Sequence, residues 1–207
     1  MTAPICLNQI VGSERIIEKL VREVACPGMT VLEVGSWAGA SSVILGKVCQ
    51  EYGGLLYCVD WWKGNINVPS MIDQARETDV FQLFIQNIRG AGLEGVVCPM
   101  RMSSLKAAAV LKDNCFDLVF IDADHSYSGV MRDIDAYKSK VKEGGILCGH
   151  DCEFHLRECD RTVVDAHAEE DWIPYPQPLG MHCGVIKAVG ETFPYCELED
   201  RVWYVRY

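Results

Sequence analysis

The sequence has no run of basic residues and no apolar stretch of the roughly 20 residues that a membrane-spanning helix needs. Its 29 acidic residues outnumber its 19 basic residues, and the formal net charge is −10. Binding to the phosphates of nucleic acids needs clustered Lys and Arg side chains, and here these residues are scattered. The sequence therefore argues against nucleic acid and against a membrane as partners.

Signatures of disulfide and zinc frameworks are also missing, although the chain has eleven cysteines. Several cysteines lie within apolar runs, where a free thiol packs as a small apolar group: Cys58, Cys98, Cys115 and Cys148. No secretory signal pattern precedes the first predicted helix, so we expect mostly free thiols and a reducing, cytoplasmic location. Residues 148–159 contain three cysteines and two histidines but lack the C-x2-C pairing of common zinc sites.

Internal repeats, low-complexity tracts and linkers are absent from the sequence as well. Apolar residues make up 49% and charged residues 23% of the chain, which is ordinary for a globular protein. A length of 207 residues suffices for one well-buried core and is short for two enzymatic domains. We therefore expect a single domain over residues 1–207.

Short apolar runs that end near glycine or aspartate predict buried parallel strands. These runs cover residues 29–34, 55–59, 96–100, 116–121 and 146–149. Apolar residues at helical spacing lie before and between them, around residues 14–24, 40–48, 80–88, 105–111 and 130–141. Ser13 is positioned to cap the first helix. The alternation predicts a Rossmann-like, doubly wound α/β fold.

The C-terminal part of the sequence is less regular. Residues 152–180 predict a helix followed by a covering loop, which serves as a lid or a substrate segment. Prolines at positions 174, 176 and 178 belong either to this lid or to a contact in a homodimer. Residues 183–189 and 202–207 predict an antiparallel strand pair at the sheet edge. The expected sheet is therefore seven-stranded and mostly parallel.

Candidate site residues follow the strands, because ligands of such a sheet bind beyond the carboxyl ends of its strands. Gly35 and Gly39 follow the first strand and predict a tight turn that brings backbone N–H groups close to a ligand. A simple strand-to-helix turn is the alternative. The spacing is neither the G-x-G-x-x-G of dinucleotide binding nor a Lys-bearing phosphate loop.

Polar residues after the second and third strands predict contacts to a nucleoside. Asp60 either accepts hydrogen bonds from both ribose hydroxyls of an adenosine or is a solvated residue at the strand end. Ser103 and Ser104 either flank an adenine ring or cap the next helix. Together with the glycine turn, Asp60 predicts a cofactor that contains a nucleoside.

The fourth and fifth strands are expected to be neighbours, so the residues after them should converge. Asp122, His150 and Asp151 then form an oxygen-rich site for a divalent metal. Strand alternation opposes this, because His150 and Asp151 point to opposite faces unless the strand has already ended. Alternatively, His125 or His150 is a general base, or a hydrogen bond from either residue fixes a loop.

Three segments together carry a family resemblance: EVGSWAGASS, CVDWW and IDADHSYSGVMRDIDAYKSKVKEGGILCGHD. They resemble the class I methyltransferases that use S-adenosylmethionine. The resemblance is strongest to the branch with macrocin-type sugar O-methyltransferases and cephalosporin-hydroxylase-like proteins, and it covers residues 13–151. It implies a methyltransferase that modifies a hydroxyl of a small molecule, such as a sugar or another natural-product-like acceptor.

The resemblance also implies a role for individual residues. The methionine end of the cofactor would be held by Gly35, Ser36, Gly39 and Ser41, and Glu33 would also belong to the cofactor site. Asp60 would bind the ribose, Trp61 would lie against the adenosine, and Ser103 would lie near the adenine. Asp122 would lie beside the methionine amino group or beside a metal.

Two mechanisms and two rival functions remain open at this point. Either Mg²⁺ or another divalent metal at Asp122, His150 and Asp151 activates the acceptor hydroxyl, or His125 or His150 removes its proton. The rivals are a non-catalytic scaffold that binds S-adenosylmethionine and a nicotinamide-dependent oxidoreductase, which the missing G-x-G-x-x-G disfavours. The aromatic residues Trp61, Trp62, Trp172 and Tyr175 either stack on the acceptor or pack in the core.

Overall fold

A computed structural model of the chain describes residues 12–175 and 180–207. Its sheet contains β1 (Thr30–Val34), β2 (Leu55–Asp60), β3 (Val97–Arg101), β4 (Phe116–Ile121), β5 (Val141–Gly149), β6 (Glu197–Glu199) and β7 (Val202–Arg206). The strand order is β3-β2-β1-β4-β5-β7-β6. Strands β1 to β5 are parallel, and β7 is antiparallel to both β5 and β6. The predicted mostly parallel, seven-stranded α/β fold with an antiparallel C-terminal pair is confirmed.

Helices cover both faces of this sheet. They are α1 (Glu14–Glu23), α2 (Ala40–Glu51), α3 (Pro69–Glu77), α4 (Val80–Gly90), α5 (Ser104–Val110), α6 (Tyr127–Tyr137), α7 (Arg161–Ala166) and α8 (Cys183–Thr192). Along β1, Val31 packs in the apolar layer that includes α1 and α2, whereas Leu32 and Val34 pack in the layer that includes α6 and α8. Because both faces are buried, the central strands are apolar nearly throughout.

The predicted strand over residues 183–189 is wrong, because these residues form most of α8. The helix is buried from Cys183 to Val189 apart from a half-buried Lys187, and it packs against α6 and α7. A short apolar run does not distinguish a buried helix from a buried strand. The partner of β7 is β6 instead, and the two are joined by Asp200 and Arg201, whose φ angles of +49° and +64° suit a tight hairpin turn.

The fifth strand begins earlier than its sequence pattern indicates. Val141 was expected on a helix, but α6 ends at Tyr137 and Val141 pairs with Phe116 as the first residue of β5. The register of the pairing shifts between Phe116 and Leu118, and the backbone N–H of Gly144 donates to the carbonyl of Tyr207. Gly144 and Gly145 therefore lie inside a bulged strand, not in a turn before it.

In residues 12–175 and 180–207, no helix combines the length and the apolar character that crossing a membrane requires. The ten cysteines of these ranges have free thiols, as expected. Two of the three prolines assigned to a lid or a dimer contact, Pro176 and Pro178, lie outside the described residues.

Candidate active site

The loop between β1 and α2 depends on two glycines. Gly35 has φ +94°, and a Cβ at this position would lie 1.9 Å from the carbonyl oxygen of Asp122. Gly39 has φ +90°, and a Cβ there would lie 3.0 Å from the ring of Phe84. Only glycine therefore lets this loop cross the end of β4 so closely.

Asp60, at the end of β2, ties this loop to the next one. Its Oδ2 accepts a hydrogen bond from the backbone N–H of Trp37 at 2.8 Å, and its Oδ1 accepts one from that of Trp62 at 2.6 Å. Burial raises the pKa of Asp60 above its ordinary value, although the backbone hydrogen bonds act in the opposite direction. Each carboxylate oxygen has two lone pairs, so Asp60 retains acceptor capacity for hydroxyl groups of a ligand.

A cavity of about 890 Å³ opens beyond the carboxyl ends of the strands. Its wall includes these predicted site residues: Gly35, Asp60, Trp61, Ser103, Asp122, His125, His150 and Asp151. Ser103 occupies the N-cap position of α5, but within the described residues its side chain makes no capping hydrogen bond, so its hydroxyl is available to a ligand. The structure thus brings the two predicted halves of the site into one cavity.

The other predicted cofactor residues are buried within or beneath the glycine loop: Glu33, Ser36, Gly39 and Ser41. Glu33 accepts hydrogen bonds from Ser42 Oγ and from Cys58 Sγ, which lies 3.4 Å away. Burial raises the pKa of the Glu33 carboxyl group, and among the described residues its Oε1 and the Ser36 hydroxyl have no hydrogen-bond partner. These positions support the loop from below, and direct contact with a cofactor stays a prediction for them.

The four aromatic residues divide between the core and the surface. Trp62 is buried against Phe81 and Phe84, with ring centroids 4.7 and 5.0 Å away, so it is a packing residue. Trp61 is 44% exposed and lines the cavity. Trp172 and Tyr175 are also exposed.

The ends of β4 and β5 bring two carboxylates and two imidazoles together. Strand β5 stops at Gly149, and Asp151 has φ +57°, so His150 and Asp151 escape strand alternation and reach the same region. His150 Nδ1 lies 3.2 Å from Asp151 Oδ1 and 3.9 Å from Asp122 Oδ1. His125 Nε2 lies 3.6 Å from Asp122 Oδ1 and 3.4 Å from Asp151 Oδ2. We call Asp122, His125, His150 and Asp151 the Asp–His cluster.

The charges in the Asp–His cluster compensate one another. Burial alone lowers the pKa of His125, but hydrogen bonds to Asp122 and Asp171 raise it well above its ordinary value. Burial also lowers the pKa of His150, and the contact with Asp151 more than reverses this. The pKa of the Asp151 carboxyl group is correspondingly lowered, against the effect of its burial, by His150 and His125.

Sequence reasoning missed several residues around the Asp–His cluster. Asp171 Oδ1 lies 2.9 Å from His125 Nδ1, and the hydroxyl of Ser13 lies 2.8 Å from His150 Nε2. His182 lies 2.8 Å from Glu153 and packs edge-on against the ring of His125. Ser13 is at the N-cap position of α1 as predicted, but within the described residues its side chain makes no capping bond. The only sequence signal for it was that of a helix cap.

A family model described as a methyltransferase domain matches residues 32–152, which is more than half of the chain. The chain belongs to this methyltransferase family. The match includes the glycine loop, Asp60, Ser103 and the whole Asp–His cluster. It confirms the predicted class, an enzyme that depends on S-adenosylmethionine, and argues against a nicotinamide-dependent oxidoreductase.

Two solved structures share the fold of this methyltransferase. The first is the O-methyltransferase TomG from Streptomyces achromogenes, involved in tomaymycin synthesis and solved in complex with SAM. It has 13% sequence identity and a TM-score of 0.61, and the alignment covers 94% of this chain and 79% of TomG. The O-methyltransferase NovP has 15% identity and a TM-score of 0.63, with 95% and 79% of the two chains covered. At these identities the likeness extends to the fold alone.

Proposed function

We propose that this methyltransferase transfers the methyl group of S-adenosylmethionine to a hydroxyl group of a small molecule. The observation that carries the proposal is the single cavity that joins the glycine loop and Asp60 to the Asp–His cluster. Its volume of about 890 Å³ is near the upper end for small-molecule sites, which leaves room for an acceptor beside the cofactor. TomG and NovP, which share the fold, are O-methyltransferases.

The half of the cavity next to β1 and β2 fits S-adenosylmethionine. In this proposal Asp60 accepts hydrogen bonds from the ribose hydroxyls, Trp61 covers the adenosine, and Ser103 lies near the adenine. Gly35 brings the loop backbone to the methionine end, where a Cβ would collide with the Asp122 carbonyl. Glu33, Ser36, Gly39 and Ser41 hold that loop in shape, and Asp122 lies at the boundary between cofactor and acceptor.

The Asp–His cluster activates the acceptor in this proposal. The bound cofactor supplies an electrophilic methyl group, so the chain must align the acceptor oxygen and remove its proton. Of the two predicted bases, His125 is the more accessible, because its side chain is 20% exposed and that of His150 only 4%. Because its pKa is raised, His125 accepts a proton only when its ring is neutral, which a higher pH favours. The donor set of Asp122, His150 and Asp151 also fits a divalent metal, since one ligand atom from each residue lies within 4.8 Å of the others.

The remaining expectations belong to the same proposal. Residues 1–207 form one domain, and the segment 152–180 serves the site, since its Asp171 contacts His125. An acceptor such as a sugar would stack on the exposed aromatic residues Trp172 and Tyr175. The reducing cytoplasmic location, the absence of nucleic acid as a partner and the homodimer stay predictions.

Methyl transfer from isotopically labelled S-adenosylmethionine to a panel of sugars, phenols and other hydroxyl compounds tests this function. We expect labelled ether products from at least one class of acceptor, and no product from the Asp60→Ala variant. The matched control is Asp135→Ala, which removes an exposed carboxylate from α6. Cofactor binding without turnover on any acceptor would instead favour the non-catalytic scaffold.

A further inference from the structure

The cavity wall contains a buried carboxylate that has no role in the proposed cofactor loop or in the Asp–His cluster. Asp133 lies on α6, is 4% exposed and lines the cavity. Burial raises its pKa to about 6, so near neutral pH the group is mostly ionised and only accepts hydrogen bonds. A desolvated carboxylate lowers the stability of the fold. Groups of this kind are concentrated at sites that contact a ligand.

Contacts with the start of α5 hold Asp133 in place. The hydroxyl of Ser104 donates a hydrogen bond to the Asp133 carboxylate. The carbonyl oxygen of Ser104 accepts a hydrogen bond of 2.6 Å from the hydroxyl of Tyr137, which ties α5 to α6. An ionised carboxylate has about four lone-pair sites, so Asp133 can accept further hydrogen bonds. It therefore offers an acceptor to a ligand that reaches the part of the wall formed with Ser103 and Leu105.

The strand order indicates which part of S-adenosylmethionine reaches this wall, and this step rests on the proposed function. The order is β3-β2-β1-β4. The methionine end lies at the loop after β1, where Gly35 touches the end of β4, and the ribose lies at Asp60 after β2. Because the ribose lies between the methionine and the adenine in this molecule, the adenine extends toward the residues after β3. Those residues are Ser103 and Ser104.

The polar groups at this end of the cavity complement the edge of an adenine. Adenine carries one donor, the amino group at its C6 atom, beside ring nitrogens that accept hydrogen bonds. The Asp133 carboxylate is an acceptor for the amino group. The Ser103 hydroxyl, which makes no capping bond within the described residues, can donate to a ring nitrogen. A purine with an oxygen at C6 would instead place an acceptor against the carboxylate, which leaves both acceptors without a donor.

We propose that Asp133 determines the specificity of the cofactor site for a 6-aminopurine over a 6-oxopurine. Its carboxylate accepts a hydrogen bond from the amino group of the adenine, and Ser104 is a positioning residue that holds the carboxylate. Specificity of this kind arises because the wrong base leaves a buried polar group unpaired. The inference deepens the proposed function, because it assigns recognition of the base to a residue of α6.

Calorimetric titration of the full chain with two ligands tests the proposal without requiring turnover. The ligands are S-adenosylhomocysteine and S-inosylhomocysteine, which differ only in the amino group or oxygen at C6 of the purine. We expect the wild type to bind S-adenosylhomocysteine about 100-fold or more tightly. In Asp133→Asn, the amide oxygen can accept from Ser104 while the amide nitrogen donates to the purine. We therefore expect the preference to fall at least about 10-fold, with a gain in affinity for S-inosylhomocysteine.

Two further variants separate recognition of the base from a structural role. Asp135→Asn changes an exposed carboxylate on the same helix and should leave the preference unchanged. Ser104→Ala removes the donor that positions Asp133 and should lower the preference by a smaller factor, about 3-fold to 10-fold. Thermal unfolding of the same samples shows whether each variant is folded. An equal loss of affinity for both ligands in Asp133→Asn would mean that the residue is only structural, and would overturn the proposal.

The same titrations distinguish a failure of this inference from a failure of the proposed function. If the wild type binds both ligands equally, or if Asp133→Asn keeps the full preference of the wild type, the role of Asp133 is wrong and the methyltransferase function still stands. If the wild type binds neither ligand, the assignment of the cavity to S-adenosylmethionine is wrong, and the inference about Asp133 is overturned with it.

Discussion

The two ends of the cavity differ in how the chain builds them and in how their charges are balanced. Most of the cofactor end comes from one continuous stretch, residues 33–62, where the backbone N–H groups of Trp37 and Trp62 hold Asp60, and Ser103 is added from the end of β3. The acceptor end gathers Ser13, Asp171 and the Asp–His cluster from distant parts of the chain. Burial raises the pKa of Asp60, whereas two histidines lower that of Asp151. The first end thus suits neutral hydroxyl donors, and the second suits a cation or a proton transfer.

If the two ends work independently, a change at the acceptor end will remove turnover and spare cofactor binding. His125→Ala should lower kcat by about 100-fold to 10,000-fold, because it removes the imidazole that is placed to accept the proton of the acceptor hydroxyl. The affinity for S-adenosylhomocysteine should stay within about threefold. Steady-state kinetics and calorimetry on the same preparation measure the two quantities. A similar loss of kcat and of affinity for S-adenosylhomocysteine would show that the two ends do not work independently.

The cofactor end should in turn be the more sensitive to backbone changes. Gly35→Ala introduces a Cβ only 1.9 Å from a backbone carbonyl at φ +94°, so we expect a loss of about 3 kcal/mol or more in the free energy of unfolding. Gly53→Ala is the matched control, since Gly53 also has a positive φ of +65° but has no described atom near its missing Cβ. We expect a loss of only about 1 kcal/mol there. Urea denaturation compares the two variants. Equal losses in the free energy of unfolding would show that the positive φ alone, and not the contact with the carbonyl, causes the destabilisation.

A smaller effect is expected at Asp133, a buried carboxylate on the cavity wall. Burial raises its pKa to about 6 from an ordinary value of 3.8. The folded state therefore binds this proton more tightly than the unfolded state, and stability falls as the pH rises from about 4 to about 6. Asp133→Asn should remove that loss and raise stability at pH 7 by up to about 3 kcal/mol.

Thermal and urea unfolding between pH 4 and pH 7 measure this effect. Asp135→Asn, which changes an exposed carboxylate on the same helix, is the control. A stability difference between Asp133→Asn and the wild type that does not vary with pH would mean that burial of the charge is not its cause.

The contrast between the two ends also explains what the sequence could predict. Strands β1 to β4 coincide with short apolar runs that end near glycine or aspartate. Gly35, Asp60 and Asp122 lie at the ends of these strands. A parallel sheet brings the carboxyl ends of its strands to one edge, and this does not depend on which side chains follow them. These parts therefore follow from local pattern and strand order.

The missed parts depend on contacts between distant residues. Ser13 and His150 are 137 positions apart, and His125 and Asp171 are 46 apart, so no spacing in the sequence indicates either contact. His182 precedes a run whose apolar character fits a strand as well as it fits α8. The left-handed conformation of Asp151 brings it to the cluster. Asp adopts this conformation more often than most residues, but still in a small minority of cases, so the sequence does not indicate it.

Calorimetric titration of the wild type, Asp60→Ala and Asp135→Ala with S-adenosylhomocysteine shows whether the cavity binds this cofactor, and thermal unfolding of the same samples shows whether each variant is folded. We expect saturable binding by the wild type and by Asp135→Ala. We expect Asp60→Ala to lose about 2 kcal/mol or more of binding free energy, because the carboxylate acceptors of the ribose hydroxyls are missing. No binding by the wild type, or equal binding by a folded Asp60→Ala variant, would contradict the assignment of the cavity to this cofactor.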